Sequence, residues 1–207
     1  MLPATDLHTN NAPNCAMKHK GKTITSSSKK ATIFARHYAS VSRLRLSKEE
    51  RRLNLRLKRL LRAPKAENEI NTDSCSPFTN EEMDKALRKM KSKGACGPDD
   101  IPPTFLQSLG QDAKAELLSI FNALFVNGIC PQQWRQAIIV PLLKAKKPAS
   151  ELASFRPISL TSCIGKLYER MLAERIYFLV ESRSILSPFQ AGYRKMRGCE
   201  DQIARTI

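Results

Sequence analysis

Trp134-Arg-Gln-Ala-Ile-Ile-Val-Pro-Leu-Leu-Lys144, followed after a polar loop by Phe155-Arg-Pro-Ile-Ser-Leu160, is the stretch on which the fold turns. Ala137 to Leu143 is a near-continuous apolar run of strand length, which predicts a strand buried on both faces for part of its course. The second run pairs with it as a two-stranded hairpin. Lys144 closes the first strand and Arg156 opens the second, so the hairpin carries two bases at its loop end. Such bases either offer positive charge to phosphate or are simply solvated, and charge and spacing alone leave both readings open. Pro141 and Pro157 each remove a ladder donor, which assigns them to an edge, an end or a bulge. The loop from Ala145 to Ser154, with Lys146, Lys147 and Pro148, is long for a hairpin and marks a mobile or functional segment.

Around this hairpin the chain of 207 residues, 42% hydrophobic and 26% charged, has material for one real core and an appendage. Lys and Arg number 35 against 19 Asp and Glu, and the formal charge of +16 favours a polyanionic partner such as nucleic acid or an anionic membrane surface. Residues 1–74 hold 16 bases and 6 acids, so the basic character is concentrated ahead of the expected core. The six cysteines, at 15, 75, 96, 130, 163 and 199, lie too far apart for a zinc site, and Cys15 with His19 supplies only two ligands. They read as small, mostly buried hydrophobes of a reducing compartment. No apolar run approaches membrane-spanning length and no signal core opens the chain, so an intracellular protein, nuclear or cytoplasmic and not secreted, is expected.

Composition predicts a disordered basic region over 1–46, rich in Asn, Thr, Ser and Lys. Ser47 and Glu50 then form a capping box ahead of Leu53, Leu57, Leu60 and Leu61, which predicts a basic amphipathic helix over 47–63. Its Arg52, Arg56 and Arg59, with neighbouring bases, suit a phosphate backbone, an anionic bilayer or plain solvation. Residues 64–77 read as a polar linker. Thr79 and Glu82 form a second capping box before Met83, Ala86, Leu87 and Met90, which lie on one helical face. Gly94, Gly97, Pro98, Pro102 and Pro103 end that helix. Asp99 and Asp100 stand between them as turn residues rather than cation ligands.

A helix from about Ala113 to Asn127 follows, with Leu117, Ile120, Phe121, Leu124 and Phe125 as core residues and Gly128 as its stop. The best-determined element runs from about Ile164 to Glu181, with Ile164, Leu167, Tyr168, Met171, Leu172, Ile176, Leu179 and Val180 at helical spacing. The basic turn Lys195-Met-Arg197-Gly198 and a short helix from Glu200 complete the chain.

Six ordered motifs now carry a resemblance. They are Phe78-Thr-x-Glu-Glu; Lys93-Gly-Ala-Cys-Gly-Pro-Asp-Asp-Ile; Trp134-x-x-Ala-x-Ile-x-Pro-Leu-x-Lys144; Phe155-Arg-Pro-Ile-Ser-Leu160; Lys166-x-x-Glu169; and Gln190-Ala-Gly-Tyr-Arg194. In this order and spacing, residues 78–207 resemble the N-terminal part of the reverse transcriptase domain of non-LTR (LINE-type) retrotransposons. The resemblance implies an α+β fold, the helix-rich fingers subdomain of a right-hand polymerase with a small β-hairpin. It implies that Lys144 and Arg156 lie over the triphosphate of an incoming deoxynucleotide. It also implies that Gln190, Arg194, Lys195 and Arg197 approach an RNA template and DNA primer.

The chemistry agrees, since Arg suits bidentate phosphate contact and Lys acts as a point charge where phosphoryl transfer develops negative charge. In the family, Mg2+ is held by an Asp-ended palm strand and by an aromatic-Ala-Asp-Asp turn, and neither motif occurs in this chain. The expectation is therefore a fragment of an RNA-directed DNA polymerase that ends before the palm and thumb, with no catalytic or metal-binding residue of its own and no polymerisation alone. A non-catalytic basic nucleic-acid-binding protein is the alternative. A non-functional remnant is the third, because finger strands without a palm would expose apolar patches.

Overall fold

A computed structural model of the chain describes residues 16–43, 46–62 and 76–204. The fold is α+β, with two small antiparallel sheets among seven α-helices in the described residues. It divides into two compact units, the first of residues 1–68 and 136–161, the second of residues 69–135 and 162–207. The hairpin thus groups with N-terminal residues, where one core with an appendage is expected from length alone. The linker expected over 64–77 lies outside the described residues except at its end.

The first unit contains β1 (Met17–His19) and β2 (Lys22–Ile24), paired antiparallel around Lys20 and Gly21. Both turn residues have positive φ, 49° and 73°, as a tight two-residue hairpin loop requires. Helix α1 (Ser27–Val41) follows, and α2 spans Lys48–Arg62. Elements β1, β2 and α1 thus lie within the stretch for which composition predicts disorder. Phe34 is buried, with its ring 4.9 Å from that of Phe155 in an edge-on contact. The partner of α1 is the later hairpin, which local composition does not reveal. The capping box of α2 is as expected, the Ser47 N–H donating to Glu50 Oε2 at 2.7 Å and the Glu50 N–H to Ser47 Oγ at 3.1 Å.

Strands β3 (Ala137–Leu143) and β4 (Phe155–Thr161) pair antiparallel along their full length. Their burial is a correction: Ile138, Ile139, Val140, Leu142 and Ile158 are all 40% exposed or more. A two-stranded ribbon has no sheet neighbour, and α1 meets it through Phe155.

The second unit is helical: α3 (Asn80–Arg88), α4 (Pro103–Gln107), α5 (Gln111–Val126), α6 (Cys163–Ser182) and α7 (Cys199–Ala204). The capping box at Thr79 and Glu82 is complete. Met83, Ala86, Leu87 and Met90 are buried as their spacing predicts, against Phe121, Leu167, Tyr168 and Met171. An aromatic chain runs through this core, with Tyr168 5.2 Å from Phe121, 5.5 Å from Trp134 and 6.0 Å from Phe78. Gly165 lies against Trp134, whose ring carbon would stand 3.1 Å from an added Cβ.

Polar groups at the end of α3 are satisfied, since Gln107 Nε2 donates to the carbonyls of Leu87 and Met90. Asn122 exchanges two hydrogen bonds with the backbone of Phe78. Gly128, at φ 61°, closes α5 in the left-handed region as expected. Two expected core positions are exposed instead, Ile120 at 53% and Ile176 at 59%. Among the described residues, no helix is long and apolar enough to cross a membrane.

Candidate functional site

The geometry of the hairpin follows from its register. Leu142 pairs with Arg156 and Leu143 with Phe155. One step beyond the ladder, the Lys144 N–H donates to Ser154 O at 2.8 Å. Cross-strand partners share a face, as do residues two apart on a strand. Ile138, Val140, Leu142 and Lys144 therefore share a face with Arg156, Ile158 and Leu160, while Phe155 occupies the other and meets α1. Lys144 and Arg156 are diagonal neighbours on that shared face, with backbones roughly 7–8 Å apart.

Their environments differ. Arg156 is exposed, and its side chain has no hydrogen-bond or ion-pair partner among the described residues. The half-buried Lys144 donates through Nζ to Ala153 O at 2.7 Å, which fixes its ammonium at the loop mouth and leaves two N–H donors. The loop between them is ordered by Lys147 N–H to Lys144 O, and by Lys18 N–H to Ser150 O at 3.0 Å. Lys146 is held in the left-handed region at φ 59°.

In the second unit the segment after α6 carries the other expected contacts. Arg194 is taken up internally: Nε donates to Glu181 Oε1 at 2.8 Å, Nη2 to Oε2 at 2.6 Å, and Nη1 to the carbonyls of Ser187 and Gln190. This bidentate bond holds the Glu181 carboxyl below its ordinary range and raises the guanidinium of Arg194. Lys195 Nζ bonds both oxygens of Glu174 at 3.0 Å and sits 4.2 Å from the centre of the Tyr177 ring. Arg197 donates to Pro188 O, and Gln190 Nε2 to Gly192 O at 3.3 Å. Between these anchors, Tyr193 and Met196 both adopt positive φ, 60° and 59°, and their side chains stand fully in solvent.

On α2, Arg52, Arg56 and Arg59 are exposed and follow one another at i, i+4 and i+7 along one face. Leu53 and Leu57 are also exposed, at 57% and 47%, so the apolar stripe of this helix is uncovered there. The side chains of Leu60 and Leu61 lie outside those described.

Asp99 and Asp100 behave as turn residues: Asp100 has φ 53°, and Asp99 Oδ1 accepts the Ile101 N–H at 3.4 Å. Among the described residues, no three His, Cys, Asp or Glu side chains gather as a metal-binding group. Cys163 is buried, and that burial pushes its thiol above the ordinary value, whereas Cys130 is exposed, contrary to the general expectation of buried cysteines. Cys15 and Cys75 lie outside the described residues.

Sequence reading missed the carboxylates that organise these bases, Glu174 and Glu181, and it missed Lys85 and Lys89. Glu174 sits on α6 among apolar residues and meets its partners only through tertiary packing.

The chain is similar to proteins of mobile elements. It is 33% identical over 129 residues to the probable RNA-directed DNA polymerase from transposon BS of Drosophila melanogaster, an alignment covering 62% of this chain and 14% of that protein. It is 28% identical over 206 residues to the RNA-directed DNA polymerase from mobile element jockey of Drosophila funebris, covering 94% of this chain and 21% of that protein. The probable RNA-directed DNA polymerase from transposon X-element of Drosophila melanogaster is 33% identical over 132 residues, covering 64% and 14%. No protein-family model matches the chain. The homologues are thus RNA-directed DNA polymerases of non-LTR retrotransposons, and this chain spans between a seventh and about a fifth of their length. The jockey alignment extends over nearly the whole chain, beyond the six motifs, which begin at Phe78.

Proposed function

We propose that this chain is the fingers portion of a retrotransposon reverse transcriptase, and that its bases hold phosphate for a catalytic centre supplied by the rest of such a polymerase. The observation that carries the reading is the placement of Lys144 and Arg156 as diagonal neighbours on one face of the β3–β4 hairpin. In this role Arg156 grips phosphate oxygens through its planar fork, and Lys144, steadied by Ala153 O, adds a fixed point charge. Both act electrostatically, stabilising charge that develops on the leaving phosphates. Neither moves a proton. The Mg2+ of the family supplies nucleophile activation and leaving-group stabilisation when bound, and we assign its carboxylate ligands to a palm outside this chain.

Template and primer contacts fall to Gln190, Lys195 and Arg197 in the second unit. Arg194, with its internal partners, positions that segment. Arg52, Arg56 and Arg59 contribute a phosphate-tracking stripe on α2. In a polymerase containing this chain, Arg156→Ala is expected to raise the nucleotide KM and lower kcat/KM, a loss on the order of 2–3 kcal/mol of transition-state stabilisation. Steady-state kinetics with varied deoxynucleotide tests this, and an unchanged nucleotide dependence overturns the triphosphate role.

The excess positive charge of residues 1–74 favours a second reading, a basic nucleic-acid-binding protein without catalysis. It predicts binding that weakens steeply with salt and has little sequence preference.

A further inference from the structure

Helices α3 and α6, with flanking residues such as Lys89 and Lys195, line an open cleft of about 860 Å3 in the second unit. Its charge is unevenly settled. Two of its carboxylates are each closed by an arginine: Arg175 bonds both oxygens of Glu82, and Arg194 both oxygens of Glu181. The third, Glu174, receives three ammonium groups, with Lys89 at 2.8 Å, Lys195 at 3.0 Å and Lys85 at 4.0 Å. Three positive charges against one negative leave an excess of two at one concave wall. These lysines keep 41–61% of their side chains exposed, so each still presents N–H donors to solvent. Phe178 also lines the cleft and is 74% exposed, a large ring facing solvent among the described residues.

We propose that this cleft binds single-stranded nucleic acid, with Lys85, Lys89 and Lys195 taking phosphodiester groups and Phe178 stacking an unpaired base. A free phosphate would use the lysines and leave the ring without a role, and a duplex has no unpaired base to offer it. Lysines beside an exposed aromatic are the elements by which single strands are held without sequence preference. Glu174 is the built-in counter-ion. It gathers the three lysines before a ligand arrives, which lowers the ordering cost of binding, and it competes with the incoming phosphate. Its carboxyl is held down to about 2 by the lysines, so it is ionised whenever the cleft is empty near neutral pH. The site is separate from the hairpin bases; it shares Lys195 with the template and primer contacts proposed above and to that extent rests on that reading, whereas Lys85, Lys89 and Phe178 belong to none of them.

The test is fluorescence anisotropy on the complete chain across a salt series, with labelled oligo(dT), an abasic strand of equal length and a duplex. The single strand is expected to bind more tightly than the abasic strand or the duplex. Lys85→Gln/Lys89→Gln/Lys195→Gln should reduce the slope of log K against log salt by about 0.7 for each phosphate that is no longer neutralised. Lys93→Gln, an exposed lysine outside the cleft, should leave the slope nearly unchanged. Phe178→Ala should weaken oligo(dT) binding about tenfold and spare the abasic strand. Glu174→Gln should tighten both.

Equal effects of the cleft variant and of Lys93→Gln, or equal weakening of both strands by Phe178→Ala, would overturn the proposal. Photocrosslinking of a thiouridine-bearing strand to the unaltered chain gives an independent reading that no misfolded variant can obscure. Crosslinks confined to residues outside α3, α6 and the 195 region would also overturn it. None of these readouts involves polymerisation, so this site and the polymerase assignment fail separately.

Discussion

Pro141 stands directly across the β3–β4 hairpin from Pro157. Because the Lys144 N–H bonds to Ser154 O, alternation along the ladder places this proline pair at a non-hydrogen-bonded position, where each ring nitrogen points to an outer edge. No ladder bond is lost, and each outer edge lacks a donor at its middle. On a ribbon that exposes Ile138, Val140 and Leu142, this is a guard against pairing with another chain. The double substitution Pro141→Thr/Pro157→Thr should therefore leave the hairpin intact and cause concentration-dependent association, read by light scattering. A variant as monodisperse as the parent would show that the prolines guard nothing.

A second prediction concerns Arg175 on α6. Its guanidinium bonds both oxygens of Glu82 at 2.7 Å, donates to the carbonyls of Ser76 and Pro77, and lies 4.2 Å over the Phe78 ring. It ties the start of α3 to α6 while Glu82 also closes the capping box. Arg175→Ala should lower stability by about 2 kcal/mol, and Arg175→Lys should recover little of it, because an ammonium cannot bond in a fork. Urea unfolding followed by the fluorescence of Trp134, the single tryptophan, measures both.

A third prediction is a pH dependence. The Glu174 carboxyl is lowered from 4.5 to about 2, chiefly by hydrogen bonds from Lys89 and Lys195. A folded value below the unfolded one means stability that is fully present above pH 4.5 and lost as pH falls through about 2. With the lysines partly solvated, the contribution is on the order of 1 kcal/mol. Urea midpoints measured down to about pH 2 should fall less steeply for Glu174→Gln than for the parent. Parallel curves would remove Glu174 from the acid response.

The elements legible in the sequence are those whose reasons are local. Thr79 with Glu82, Ser47 with Glu50, and the periodic apolar face from Ile164 to Met171 state their structure within a few residues, and each forms as read. What escaped is non-local. Ile33, Phe34 and Tyr38 make only a short apolar cluster in a polar, basic stretch, and Phe34 meets Phe155 only through tertiary packing, so composition reads these surroundings as disordered. Ile120, Ile176 and the ribbon strands are apolar at the right period, but period does not say whether a partner lies opposite. The bidentate pairing of the motif arginine Arg194 with Glu181 is likewise invisible in the sequence. Lys85 and Lys89 look like the wet side of a helix until Glu174 gathers them.

The last prediction separates the two hairpin bases. Lys144 bonds Ala153 O and so has a structural task beside any electrostatic one, whereas the Arg156 side chain has no partner among the described residues. Lys144→Ala should speed amide hydrogen exchange across the loop from Ala145 to Ser154, because a hydrogen bond to a charged group, about 1.5–3 kcal/mol, is removed from its mouth. Arg156→Ala should leave that exchange unchanged. In a polymerase carrying this chain, both should raise the nucleotide KM, with Arg156→Lys intermediate because it keeps the charge and loses the fork. Unaltered loop exchange in Lys144→Ala would deny the anchoring role. Equal kinetics for Arg156→Lys and Arg156→Ala would mean that geometry, not charge, sets the contribution of Arg156.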